Sequence, residues 1–193
     1  MVMSRIVTTA ALAATCWVLG CATPPPRPPT ATTPAVLEGT DGRVHPVPSP
    51  EGALTVLVFF SATCPCQAAH DERLRSIAAD YLGRGIAMLA VDSEVDAKVE
   101  RDRAEAARRR YPFPVVVDHG GVMARAYQAE FATYTVLMDR EGDVLYRGGI
   151  DSDKRHLHPD ATAFLREALD DALAGRPVRR PEGRTLGCAL MLP

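Results

Sequence analysis

Residues 54–70 read LTVLVFFSATCPCQAAH. The first seven, Leu54 to Phe60, are apolar, β-branched or aromatic with no polar alternation, the pattern of a strand buried on both faces. The run stops at Ser61-Ala62-Thr63, and Cys64-Pro65-Cys66 follows. Beyond it Leu74, Ile77, Ala78 and Tyr81 recur at helical spacing, which predicts a helix over residues 65–81. The cysteines therefore stand where a central strand passes into a helix. A helix N-terminus presents unpaired amide hydrogens and a partial positive charge, and both favour a thiolate over a thiol. A cysteine placed there has its pKa lowered from about 8.5 to between about 3.5 and 7.5. Pro65 suits the first helical position and keeps the residue before it out of helical geometry, which puts Cys64 at the N-cap.

The N-terminal region reads as a targeting segment. Arg5 gives a short positive start, and residues 6–19 are mostly apolar but too few for a comfortable membrane span. They end in Val18-Leu19-Gly20-Cys21, similar to a bacterial lipobox, with cleavage expected before Cys21 and acylation on it. Residues 1–20 are thus expected to be a lipoprotein signal peptide. Residues 21–34 combine the lipidated Cys21 with a proline- and threonine-rich stretch, an extended tether that cannot form a core. Ala22, with no aspartate after the cysteine, makes the periplasmic face of the outer membrane the default location in a bacterial cell envelope. A net charge of −2 over 193 residues gives no footprint for nucleic acid. With Cys16 lost and Cys21 lipidated, Cys64, Cys66 and Cys188 remain. An odd number of thiols in an oxidising compartment implies one disulfide and one free or exchanging thiol.

The remaining chain alternates strand and helix patterns. Thr40-Asp41-Gly42-Arg43 marks a turn in a small N-terminal hairpin. Residues 86–91 (IAMLAV) read as a second buried strand. Residues 95–110 read as an exposed, charged helix, with Arg108-Arg109-Arg110 as a solvated end that complements the dipole. A short strand at 115–117, a short helix at 121–130 and a strand at 131–138 follow. A turn through Glu141-Gly142 leads into residues 144–147, and an amphipathic helix covers 159–174. Residues 176–193 form a tail without period that carries Cys188. This order implies an α/β domain over residues 35–175. Its central mixed sheet is flanked by helices on both faces, with the N-terminal hairpin as an extension.

These pieces resemble the thioredoxin-like superfamily, in its redoxin branch of the alkyl hydroperoxide reductase and thiol-specific antioxidant type. The resemblance rests on FFSATCPC, IAMLAVDSE, YPFPVVVDHGGVMARAYQAE, TVLMDREGDVLYRGGID and the last helix, and extends to the Gly187-Cys188 ending. Three departures stand out. Gln67 occupies the place of the second cysteine of a Cys-x-x-Cys pair. Leu57 replaces the proline of the peroxide-reducing motif, whose Ser61 and Cys64 are present. Thr133 stands where thioredoxin-like proteins carry a proline facing the site.

The resemblance and the cysteine placement together imply a membrane-tethered thiol oxidoreductase that needs no cofactor. Cys64 is the candidate nucleophile, toward a peroxide or toward a protein or small-molecule disulfide, with an unidentified thiol as reductant. The resolving thiol is Cys66, nearest in sequence, or Cys188 on the tail. Ser61 and Thr63 are candidate hydrogen-bond donors to the thiolate or to a bound peroxide. His70 is expected at the surface. The competing reading takes Cys64, Cys66 and His70 as soft ligands of a Cu(I) chaperone.

Overall fold

The computed structural model describes residues 35–193. The expected signal peptide, Cys21 and the tether lie outside the described residues. Among the described residues no helix is long and apolar enough to cross a membrane.

One seven-stranded mixed sheet forms the domain, in the order β2-β1-β5-β4-β3-β6-β7. The hairpin β1 (Ala35–Gly39) and β2 (Val44–Val47) lies at one edge. The centre is β3 (Leu54–Phe60), parallel to β4 (Ile86–Asp92), which is parallel in turn to β5 (Val115–Val117). On the other side β3 pairs antiparallel with β6 (Tyr134–Asp139), and β6 with β7 (Val144–Gly149). Every residue of β3 is buried, as its unbroken apolar sequence requires. Leu54, Val56, Val58 and Phe60 enter one core cluster, with Leu74 and Ile77 of α1 (Pro65–Tyr81) and Leu165 and Leu169 of α4 (Phe164–Leu173). Leu57 and Phe59 enter the other, with Met123 and Tyr127 of α3 (Val122–Tyr127), Cys64, Cys66 and Leu190 of the tail.

The helix α2 (Val99–Arg109) starts later than its charge pattern suggests and is not solvated all round. Val99, Asp102, Ala106 and Arg109 are buried at spacings of three and four, which gives it one inner face. Arg109 is therefore not part of a solvated end. Its guanidinium donates to the Ala62 carbonyl at 2.9 Å and to Asp71 at 3.0 Å, and it lies over the Phe60 ring.

The tail is a fixed strap. The Arg147 amide donates to the Pro181 carbonyl, and Gly183 returns a bond to Arg147. Farther on, the Ala132 amide donates to the Cys188 carbonyl and the Leu190 amide to Glu130. Val95 donates to Met191. The strap thus runs from the β7 edge across the ends of β6, β3 and β4.

Candidate active site

The sequence places Cys64 at the N-cap of α1, and the backbone agrees: Cys64 is extended at φ −76° and ψ 117°, with Pro65 opening the helix. The Gln67 amide donates to the Cys64 sulfur at 3.4 Å, so one orphan donor of the helix start is directed at that sulfur. Cys64 is bonded to Cys188, 124 residues away, with Cα atoms 5.9 Å apart. Cys66 is free and buried. The three sulfurs lie within 4.8 Å of one another.

Ser61 is buried and Thr63 exposed, and their hydroxyls lie 3.5 Å apart. Among the described residues no hydrogen bond joins either hydroxyl to the Cys64 sulfur; the Gln67 amide fills that role. Gln67 is itself held from the side. Its Nε2 donates to the Tyr111 hydroxyl at 3.2 Å, and that hydroxyl donates to Asp71 at 2.6 Å. Burial raises the Tyr111 pKa, and the Asp71 bond adds to it, so the hydroxyl stays a donor. Position three after an N-cap is where capping partners are sought, so Gln67 has a sequence signal. Tyr111 has none, because it comes from a different loop.

His70 corrects an expectation. It is 1 % exposed, not a surface residue. One ring nitrogen, Nδ1, is 2.8 Å from the Cys66 carbonyl, and Nε2 is 3.2 Å from Asp151. Asp151 also accepts from Arg73 at 2.5 Å. With both nitrogens engaged, His70 is not free to ligate beside the cysteines, and the Cu(I) set of Cys64, Cys66 and His70 does not assemble. Cys188 is the third soft donor brought to Cys64 and Cys66. Burial opposes charge on His70, but its bonds to Asp151 and to the Cys66 carbonyl outweigh that and raise its pKa above the ordinary 6.5. Asp151 is correspondingly lowered: His70 and Arg73 overcome its burial.

Thr133, in the position of the expected proline, takes φ +72°, and its amide donates to the Phe59 carbonyl at 2.9 Å. The cis peptide among the described residues is Val47-Pro48, near the hairpin edge.

A family model named Redoxin matches residues 29–165, well over half of the chain. The chain belongs to the redoxin family. No curated protein matches it. The redoxin is similar to the crystal structure of a hypothetical protein from Sinorhizobium meliloti, with 28 % identity and a TM-score of 0.75. That match covers 83 % of this chain and 92 % of the other. A conserved uncharacterised protein from Geobacillus kaustophilus is equally similar, with 28 % identity, a TM-score of 0.76 and coverage of 86 % and 91 %. A Chlorobium tepidum protein described as a thiol:disulfide interchange protein, DsbE, has 25 % identity and a TM-score of 0.58, with 73 % and 94 % covered. The family and a helix-capped cysteine with a second thiol closed upon it make this redoxin a thioredoxin-like thiol oxidoreductase.

Proposed function

We propose that this redoxin reduces hydroperoxides, with Cys64 as the attacking thiolate and Cys188 as the resolving thiol. The observation that carries the reading is the Cys64–Cys188 disulfide, with Cys188 presented by the backbone-bonded strap. The Cys64 thiolate attacks the O–O bond; one oxygen stays on sulfur as a sulfenic acid, and the other leaves as an alcohol or water after taking a proton. Cys188 then attacks the sulfenic sulfur, water leaves, and the disulfide forms. Two equivalents of an external thiol restore both cysteines.

Access favours a small substrate over a polypeptide disulfide. The backbone edge at residues 130–132, which a substrate peptide could pair with, is already occupied by residues 188–190 of the chain itself. Cys64 is 2 % exposed under this cover. Treatment of the reduced, metal-free full chain with one equivalent of hydrogen peroxide tests the reading. Thiol loss much faster than that of an ordinary free cysteine, ending in a Cys64–Cys188 peptide pair, is expected. Loss at the rate of a free cysteine would replace peroxide reduction with thiol–disulfide exchange.

The three converging sulfurs favour a second reading, capture of a soft cation such as Cu(I) by the reduced Cys64, Cys66 and Cys188. Competition for Cu(I) with a chromophoric chelator tests it; binding that survives Cys188→Ser unchanged would remove it. The lipobox-like Cys21 supports tethering of this activity to a membrane facing the cell envelope. Incorporation of labelled fatty acid, abolished by Cys21→Ser, is the corresponding test.

A further inference from the structure

A cleft of 640 Å³ opens directly onto the disulfide. Pro65, Cys66 and Cys188 form one wall, and the loop from Ser152 to His158 supplies the other. Cys64 does not line it. Cys188 is partly exposed where Cys64 is buried, so a molecule in the cleft meets the disulfide at the Cys188 sulfur.

The loop wall is cationic. Lys154, Arg155 and His156 are exposed, and among the described residues no acidic group pairs with them. The carboxylate in the same wall, Asp153, is already taken. It accepts from the His158 amide at 2.7 Å and from Arg73 at 3.0 Å, and lies 2.9 Å from His158 Nδ1. Ser152 is also engaged, its hydroxyl accepting from the Thr162 amide at 2.9 Å. The first turn of α1, at Pro65 and Cys66, adds the positive end of a 17-residue helix. Two unpaired cations and a helix N-terminus thus face a reactive sulfur across a space of the size that holds a tripeptide-sized ligand.

We propose that this cleft binds a small carboxylate-bearing thiol, the reductant that reopens the Cys64–Cys188 disulfide. The proposal rests on the disulfide cycle above and names its electron donor by class. Carboxylates of the donor sit against Lys154 and Arg155 while its thiolate attacks the Cys188 sulfur. The S–S bond breaks toward Cys64, which leaves as a thiolate at the helix N-cap, where the Gln67 amide receives it. A second donor thiolate then attacks the donor sulfur of the mixed disulfide. The donor is released as its own disulfide, and Cys188 leaves as a thiolate that takes a proton from water.

The test uses full-length protein in mild detergent, oxidised to the Cys64–Cys188 disulfide with diamide, so that it does not depend on peroxide turnover. Reduction is timed with glutathione, neutral 2-mercaptoethanol and cationic cysteamine, and each rate is expressed per thiolate. Glutathione is expected to react about tenfold faster than 2-mercaptoethanol at about 0.01 M salt, and cysteamine slower. The preference collapses at about 1 M salt and reverses in the Lys154→Glu/Arg155→Glu double variant. A trapped mixed disulfide maps to Cys188. Rates that follow only intrinsic nucleophilicity, a preference untouched by the double variant, or an adduct on Cys64 would each overturn the proposal. Failure of peroxide to form the disulfide would instead remove the hydroperoxide reading and leave this result standing.

Discussion

The Ala132 amide donates to the Cys188 carbonyl across 2.9 Å, so Cys188, the resolving thiol of the proposed cycle, is carried on backbone paired just ahead of β6. The residue before it, Gly187, passes so close to the Ala132 carbonyl that a Cβ would collide with backbone. Gly187→Ala should therefore lift the strap and cost the local hydrogen bonds, each worth about 1 kcal/mol. The expected result is Cys64–Cys188 closure slowed by about tenfold after oxidation, followed by quenched mass spectrometry. Closure at the wild-type rate would mean that the strap does not set the position of Cys188.

Cys66 should prove dispensable for the bond and Cys188 essential. Cys66 is the free member of the trio. Cys66→Ser is expected to keep the Cys64–Cys188 disulfide under oxidation. Cys188→Ser is expected to leave Cys64 as a sulfenic acid that reacts with dimedone and proceeds to the sulfinic state. A Cys188→Ser protein that forms a Cys64–Cys66 bond as readily as the parent forms its own would assign resolution to Cys66.

The buried His70–Asp151 pair predicts a window of stability. A raised His70 pKa contributes stability that is fully present below the ordinary 6.5 and is lost as pH rises through the folded value. The lowered Asp151 pKa contributes above the ordinary 3.8 and is lost as pH falls through the folded value. Between 3.8 and 6.5 both contributions are present. Melting curves from about pH 5 to about pH 8 should show a decline on the alkaline side. His70→Gln should flatten that decline and lower stability by about 1 to 3 kcal/mol, because Asp151 loses a partner. A pH profile unchanged by the substitution would show that His70 is not the titrating group.

The acidic ends of β4 and α2 depend on one guanidinium. Arg101 donates to Asp92 at 2.5 Å, to Asp96 at 2.6 Å and to Asp102 at 3.1 Å. Asp92 is fully buried, and burial, with the neighbouring Asp102 charge adding to it, pushes its pKa up to about 7. Arg101→Leu strands both buried carboxyls and should destabilise the fold by about 3 kcal/mol or more. The loss should grow as pH rises. Removing the Arg101 charge, which holds the Asp92 carboxyl down, raises its folded pKa further above that of the parent, so the variant's folded state binds still more protons than its unfolded state. Denaturant melts at acid and neutral pH check this; an equal loss at both would point to lost packing alone.

The residues that fix the fold act locally, and those that complete the site act at long range. The strand at 54–60 and the helix at 65–81 follow from an unbroken apolar run and a capped helical period, and both ends match the structure. The strand expected from Phe131 begins at Tyr134 instead. Thr133 turns the chain, and Phe131 pairs with Ala189 of the strap. The helix expected from Val95 begins at Val99, because the chain first makes a turn in which the Ala97 amide bonds to the Glu94 carbonyl and then passes through Lys98 in extended conformation, φ −147° and ψ 132°. The strap has no hydrophobic period, since backbone bonds hold much of it, and such bonds leave little trace in side-chain pattern. His70 shows the same limit in its partner. It stands four residues before Leu74 on the inner face of the helix, a spacing that signals burial, but Asp151, which satisfies its ring, is 81 residues away.

Restoring the residue that thioredoxin-like proteins carry at position 133 should damage this protein. Proline fixes φ near −65° and has no amide hydrogen. Thr133 stands at φ +72°, and its amide bonds to the Phe59 carbonyl at the end of the central strand. Thr133→Pro would force a different backbone between Ala132 and Tyr134 and leave the buried Phe59 carbonyl without that donor. A loss of about 3 kcal/mol or more is expected. The displaced Ala132 would also release its bond to Cys188, so disulfide closure should fail along with stability. Thr133→Gly separates the two effects. Glycine adopts positive φ without steric cost and keeps the amide, so it should retain the fold and the Cys64–Cys188 bond. If Thr133→Pro folded with undiminished stability, the left-handed turn would not be what holds the strap at the site. A Thr133→Gly protein that folded but failed to close its disulfide would assign the task to the threonine side chain, which lies against Gly187.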